Sequence, residues 1–143
     1  MLKKQVIATG FQYEIGGVLL GYKWFRKFYV VACTFPRYGG DLQATKMTFI
    51  LNGSEHTEEM ERIQQQYIFP LKLIGVWHSH ITEDNSFSLQ DRESNRLLVR
   101  QIGEMLSIIV IQQKENEIGI IPYYVSEGNE EICLFGNKKS DFV

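Results

Sequence analysis

The sequence predicts an α+β domain built around a mixed β-sheet that is flanked by helices. Three observations predict this fold class. Apolar runs of strand length, bounded by Pro, Gly or Asn, occur in both halves of the chain. Two other segments carry apolar residues at helical spacing. The elements follow the order strands, helix, strand, helix, strands, which is typical of this class.

The first half of the chain contains four predicted strands and one predicted helix. The strands cover residues 15–22, 27–35, 46–52 and 71–77. The second strand is the most apolar and ends before Pro36. Between the third and fourth strands, Thr57 is predicted to cap a helix that stops before Pro70. The apolar face of that helix comprises Met60, Ile63 and Tyr67.

The second half of the chain is predicted to form one helix and three strands. The helix covers residues 89–103, and the strands cover 106–112, 118–125 and 131–135. Asn116 lies in a hairpin turn between the first two of these strands. A length of 143 residues fits one domain, residues 1–143, which can bury a core without disulfides.

Composition and charge exclude several classes of protein. Contents of 44% hydrophobic and 22% charged residues are those of an ordinary globular protein. A net charge of −2 without a basic run gives no footprint for nucleic acid. No stretch approaches the ~20 apolar residues of a membrane span, and the N-terminal apolar run is too short for a signal peptide. Cys33 and Cys133 lie in apolar segments, so we interpret them as reduced core residues of a cytoplasmic protein.

The most informative feature is His78-Ser79-His80, which is followed by Ser88 and Asp91. Because the side-chain period of a strand is two, His78 and His80 should point to the same side. Two imidazoles and a carboxylate are the three protein ligands that a catalytic zinc takes, while a water holds the fourth position. We therefore predict one Zn²⁺ per chain, held by His78, His80 and Asp91.

A purely structural interpretation of the same residues is also open. Ser88 suits the N-cap of the following helix, and Asp91 suits its first turn. This interpretation is compatible with a metal site, because a capped helix start holds a carboxylate rigidly. Two histidines so close together beside Trp77 would be unfavourable in an apolar core, because both imidazoles are polar. A purely structural role is therefore less well supported for the histidines than for Ser88 and Asp91. The third histidine, His56, is assigned an exposed role near a helix start.

A zinc hydrolase also needs a general base, and the candidate is Glu14. The alternative is a solvated residue at the end of a strand. The pair Gly16-Gly17 that follows it indicates a bulge or a close backbone approach. Glu14 is distant from His78 in the chain, so spacing alone does not bring the two together.

Three segments of the chain, 14–21, 74–80 and 88–91, resemble the JAB/MPN domain with its complete JAMM zinc motif. That motif is a distant Glu, then His-Ser/Thr-His, seven residues, Ser, two residues and Asp. All five positions match in residue type and spacing. The resemblance covers residues 8–125 and implies a JAB/MPN-like (cytidine deaminase-like) fold.

Two residues depart from the common family pattern. Ile81 stands where relatives often have proline, and a β-branched residue can hold the same extended backbone. Phe87 stands where a proline often precedes the motif serine. We interpret Phe87 as a rim residue that either contacts substrate or covers the loop 81–87.

The resemblance implies a zinc metallopeptidase with defined residue roles. His78, His80 and Asp91 would hold Zn²⁺ and its water. Glu14 would take a proton from that water and pass it to the leaving amine, and Ser88 would donate a hydrogen bond to the oxyanion.

The resemblance also implies a substrate, which is the bond after the C-terminal glycine of ubiquitin or a ubiquitin-like protein. Either deconjugation or precursor processing fits. The short chain resembles bacterial JAB peptidases, some of which are encoded beside E1- and E2-like enzymes in antiphage operons, so such enzymes are expected partners. The alternatives are a JAB peptidase that processes a sulfur-carrier protein and a catalytically silent MPN scaffold that binds partner proteins. Silent scaffolds usually lose metal ligands that this chain keeps.

Overall fold

The structure is a computed structural model. It describes residues 14–35, 54–80, 85–114, 117–128 and 131–134. The strands are β1 (Gly16–Trp24), β2 (Lys27–Cys33), β3 (Lys72–Ser79), β4 (Glu104–Lys114), β5 (Glu117–Ser126) and β6 (Glu131–Cys133). The helices are α1 (Ser54–Gln64) and α2 (Leu89–Ile102). Neither of these two helices is long and apolar enough to cross a membrane.

The six strands form one sheet in the order β2-β1-β3-β4-β5-β6. Neighbouring strands are antiparallel except β3 and β4, which are parallel, so the sheet is mixed. A parallel pair needs a crossover connection, and α2 supplies it. The crossover brings the start of α2 back toward the end of β3, where the His-Ser-His sequence lies.

The prediction of a sheet flanked by helices, with JAB/MPN-like (cytidine deaminase-like) layering, is wrong. The described part of the chain is mostly a curled, six-stranded half-barrel sheet with two helices. Both helices pack against the same apolar cluster, on the sheet face that carries Val18 and Val76. The cluster on the other face, around Trp77, contains strand residues and their neighbours but no residue of either described helix.

Irregular strand pairing accompanies this curl. The register shifts near Leu20, where β1 meets both β2 and β3, and again near Gln112, where β4 meets β5. A bulge adds a residue to one strand and increases the local right-handed twist. A twisted sheet can enclose its own concave apolar face without a helix on that side. Hydrophobic periodicity identifies strands but carries no information on this curvature.

Several element boundaries differ from the prediction. Helix α1 begins at Ser54, ahead of the predicted cap Thr57, and His56 lies in its first turn. Strand β6 ends at Cys133. The predicted strand 46–52 and the turn residue Asn116 lie outside the described residues.

The two cysteines lie in different environments. Cys33 packs against the cluster around Trp77, and burial raises the pKa of its thiol to about 11, so it stays protonated at neutral pH. Cys133 is exposed on the edge strand β6, so the prediction that it is a core residue is wrong. An edge strand has only one neighbour, and nothing in the local sequence reveals which strands occupy the edges.

Candidate metal centre

The two motif histidines project from the end of β3 onto the sheet face that the helices cover. Both imidazoles are buried, with exposed fractions of 5% for His78 and 7% for His80. Their Nε2 atoms lie 2.9 Å apart. The expectation that strand geometry aims both side chains at one point is therefore confirmed.

Asp91 reaches the same point from the first turn of α2. Ser88 is the N-cap of this helix, and its hydroxyl accepts a hydrogen bond from the Asp91 amide at 3.1 Å. The Asp91 carboxylate accepts in return from the Ser88 amide at 2.8 Å, which completes a capping box. These bonds hold Asp91 Oδ2 at 3.6 Å from His78 Nε2 and 3.7 Å from His80 Nε2. The predicted cap and first-turn carboxylate are confirmed.

The spacing of these three donor atoms fits a metal ion. A tetrahedral ion with ligands at about 2.0–2.1 Å keeps any two ligand atoms roughly 3.3 Å apart. The observed separations of 2.9, 3.6 and 3.7 Å lie on both sides of that value. Two imidazole nitrogens and a carboxylate oxygen that face one another can share protons in hydrogen bonds, and in place of those protons they can bind a cation. The group His78, His80 and Asp91 could therefore hold a metal ion.

The electrostatics of Asp91 favour the same conclusion. Burial by itself would raise the pKa of this carboxyl group. Hydrogen bonds with His78 and His80, the charge on His78 and a hydrogen bond from Ser88 lower it by more. The pKa of Asp91 consequently lies well below its usual range, and the group is the carboxylate that a cation requires.

Strand pairing places the backbone beside Glu14 at the end of β3. The Ser79 amide donates to the Ile15 carbonyl at 2.7 Å, in the register that β1 and β3 share. Gly16 lies opposite His78 in that register, and one more residue of the same pairing would put Glu14 opposite His80. Directly opposite residues project from the same face of a sheet. We therefore expect the exposed Glu14 on the face that carries the candidate metal ligands.

The glycine pair after Glu14 allows β1 to lie close to β3. A Cβ atom on Gly16 would lie 2.7 Å from the Trp77 carbonyl oxygen and 3.2 Å from the Cβ atom of His78. A Cβ atom on Gly17 would lie 2.1 Å from the Thr34 carbonyl oxygen. The close backbone approach predicted here is confirmed, and the bulge itself lies further along β1.

Ser88 has a second bond to the candidate ligand. Its hydroxyl donates to Asp91 Oδ2 at 2.7 Å, so in this structure Ser88 orients Asp91 as well as capping α2. A hydrogen bond from Ser88 to a substrate oxyanion would require this hydroxyl to turn away from Asp91.

We expect Ser88→Ala to weaken both the helix start and the site. Loss of the cap should destabilise the protein by about 1 kcal/mol. Loss of the hydroxyl should lower the hydrolytic rate by about 10²-fold. Denaturant unfolding and kcat measured on the same preparation separate the two effects. Ser88→Thr keeps the hydroxyl and is the matched control. Full activity in Ser88→Ala would remove Ser88 from the reaction.

Phe87 does not lie at an exposed rim. Its side chain is only 5% exposed and packs with Ile109 and Ile111 of β4. Its ring centroid lies 6.2 Å from that of His78. A large aromatic side chain next to an apolar strand is more stable buried than exposed to water. Phe87 is therefore a buried packing residue beside His78.

Sequence reasoning missed Tyr123. Its ring lies 4.7 Å from that of Phe87, and its hydroxyl donates to the Asn85 carbonyl at 2.7 Å. This bond ties the segment before Ser88 to β5. Tyr123 lies in an ordinary predicted strand, so no local signal distinguishes it. Residues 81–84 of the intervening loop lie outside the described residues.

Comparison with known proteins gives the fold but no function. No family model matches the chain, and no curated protein matches it. Among solved structures, the chain is similar to the solution structure of protein DSY2949 from Desulfitobacterium hafniense, with a TM-score of 0.56 and 13% identity. The match covers 90% of this chain and 83% of that one. At such low identity, the similarity shows the fold alone.

Proposed function

We propose that the chain is a zinc-dependent peptidase or isopeptidase that cleaves after the C-terminal glycine of ubiquitin or a ubiquitin-like protein. The observation that carries this proposal is the convergence of two imidazoles and one carboxylate at a buried point. A structural zinc has four protein ligands, whereas a catalytic zinc has three and keeps one position open. Among the described residues, the candidate group contains three ligands, which fits the catalytic kind.

The chain's own residues supply the remaining chemistry. When bound, the zinc would polarise the scissile carbonyl and lower the pKa of a water toward neutrality. Glu14 takes a proton from the attacking water and returns it to the leaving amine. Ser88, once turned from Asp91, donates a hydrogen bond to the developing oxyanion. The burial of the two histidines keeps bulk water from screening these interactions.

The substrate class is supported by the motif and not by the fold. Glu14, His-Ser-His, Ser88 and Asp91 have the types and spacing of the JAMM motif. The sequence resembles bacterial JAB peptidases of operons that also encode E1- and E2-like enzymes. We therefore propose a cytoplasmic antiphage deconjugase or precursor-processing enzyme, with the ubiquitin-like protein, its conjugates and those E1- and E2-like enzymes as partners.

The substrate proposal predicts a strong preference for glycine before the scissile bond. A side chain there would obstruct the approach of the carbonyl to the metal, and small misplacements cost about 10²-fold in rate. The measurement compares a ubiquitin-like protein fused to a reporter through a Gly-terminated tail with the same fusion carrying Val. We expect the Gly tail to be cleaved and the Val tail to be cleaved at least about 10²-fold more slowly. Equal rates would favour a general peptidase over a deconjugase.

A further inference from the structure

Ser79, the central residue of the His-Ser-His sequence, makes two hydrogen bonds across the sheet, one through its amide and one through its side chain. Its amide donates to the Ile15 carbonyl at 2.7 Å, as expected of an antiparallel ladder. The Ile15 amide should then bond to the Ser79 carbonyl. It donates instead to the Ser79 hydroxyl oxygen at 3.0 Å. A side chain therefore takes the place of one main-chain acceptor in this ladder.

This substitution occurs where β3 leaves β1. The His80 amide still donates to the Val110 carbonyl of β4 at 2.9 Å, so the end of β3 stays joined to β4. The Ser79 hydroxyl accepts the hydrogen bond that the Ser79 carbonyl would accept from the Ile15 amide in a regular ladder. Both Ile15 and Ser79 are buried, with exposed fractions of 2% and 1%. Water cannot readily replace a bond between such groups.

The bonded residue Ile15 is the immediate neighbour of Glu14. Both the amide and the carbonyl of Ile15 are hydrogen-bonded to Ser79. The direction of the backbone at Ile15 sets the position of the Glu14 Cα atom, from which the Glu14 side chain projects. The Glu14 side chain is exposed, so packing does little to fix it. Its location relative to His80 thus depends on these two bonds.

We propose that Ser79 is a positioning residue for Glu14, acting through the hydrogen bond from the Ile15 amide to its hydroxyl. This proposal rests on the proposed function, in which Glu14 is the general base. Ser79 faces away from the two histidines by strand alternation, and its hydroxyl is bonded to the Ile15 amide instead of facing the candidate ligands. Its removal should therefore displace the base while leaving the metal bound.

The test uses the full chain in three variants, Ser79→Ala, Ser79→Cys and Ser79→Thr, beside the wild type. Alanine removes the acceptor, cysteine replaces it with a weaker one and threonine keeps it. The first measurement is hydrogen exchange of the Ile15 amide by NMR, with the Val18 amide, which donates to Thr34 Oγ1 at 2.9 Å, as internal reference. We expect Ile15 exchange to accelerate about tenfold or more in Ser79→Ala, less in Ser79→Cys and little in Ser79→Thr.

The second measurement follows the base directly. On adding zinc, the ¹³C resonance of the Glu14 carboxylate, assigned by its loss in Glu14→Gln, should shift in the wild type and in Ser79→Thr. It should shift much less in Ser79→Ala, although zinc stoichiometry is unchanged. In hydrolysis, kcat should fall about tenfold in Ser79→Ala with KM unaltered, and Ser79→Thr should restore it.

These results distinguish failure of the positioning role from failure of the proposed function. An unaltered Glu14 shift or an unaltered kcat in Ser79→Ala, together with rapid Ile15 exchange, would overturn the positioning role. If Ser79→Ala does not fold, Ser79→Cys is compared with Ser79→Thr. Faster Ile15 exchange in Ser79→Cys, without a smaller Glu14 shift or a lower kcat than in Ser79→Thr, would overturn the positioning role. A wild-type protein that binds zinc and shows the Glu14 shift but hydrolyses no ubiquitin-like fusion would instead overturn the proposed function.

Discussion

Replacing His78 and His80 together by alanine should remove zinc from the protein and reduce hydrolysis below detection. The double variant retains only Asp91 of the three candidate ligands, and a single carboxylate cannot hold the ion. Metal analysis of the purified protein should give one zinc per wild-type chain and none per variant chain. Treatment of the wild type with EDTA should reproduce the loss of activity, and added zinc should restore it.

The matched control for this pair is His56→Ala. His56 lies in the first turn of α1 and is not part of the predicted motif, so its removal should leave both zinc content and activity intact. The double variant should still fold, because the two apolar clusters of the sheet do not depend on the ion. Full zinc stoichiometry in the double variant would place the metal elsewhere.

Glu14→Gln should keep the zinc and the fold but lose 10²- to 10⁴-fold in kcat, the usual contribution of a general acid–base group. The substitution preserves the size of the side chain and removes only its ability to accept a proton. Because Glu14 is exposed and does not belong to the candidate metal group, thermal stability and zinc content should not change. The measurement is hydrolysis of a ubiquitin-like fusion at saturating substrate.

Glu117→Gln provides the control, since Glu117 is an exposed glutamate at the start of β5. It should behave as the wild type. A Glu14→Gln variant as active as the wild type would exclude the proposed base, and activity that EDTA leaves untouched would exclude the zinc mechanism. A wild-type protein that holds zinc and binds a ubiquitin-like protein without cleaving its fusions would favour the silent scaffold.

The candidate metal ligands could be predicted because the placement of each depends on local geometry. His78 and His80 share a face through the strand period, and Asp91 takes its place through a capping box that Ser88 closes. Both arrangements need only residues within a few positions of one another. The sequence therefore identified two histidines and an aspartate as candidate ligands. The crossover through α2 brings the aspartate to the two histidines.

The position of Glu14 could not be derived in the same way. The residues that follow it pair with β3 in a register that neither strand encodes alone. Only the resemblance to a known motif linked Glu14 to the histidines, and the backbone bonds between Ile15 and Ser79 show that the residue next to Glu14 is joined to the end of β3. The substitution of a hydroxyl for a ladder carbonyl has no sequence signature at all.

The sequence by itself determined the strands that the structure describes, the helix capped by Ser88 and the types of the candidate ligands, because period and capping act over short distances. Only the tertiary structure decided that the sheet curls and that both described helices cover one face, with the cluster around Trp77 on the other. It also decided that Phe87 is buried and Cys133 exposed. An amphipathic pattern tells which side of an element is apolar, but the partner that covers that side is set by long-range packing.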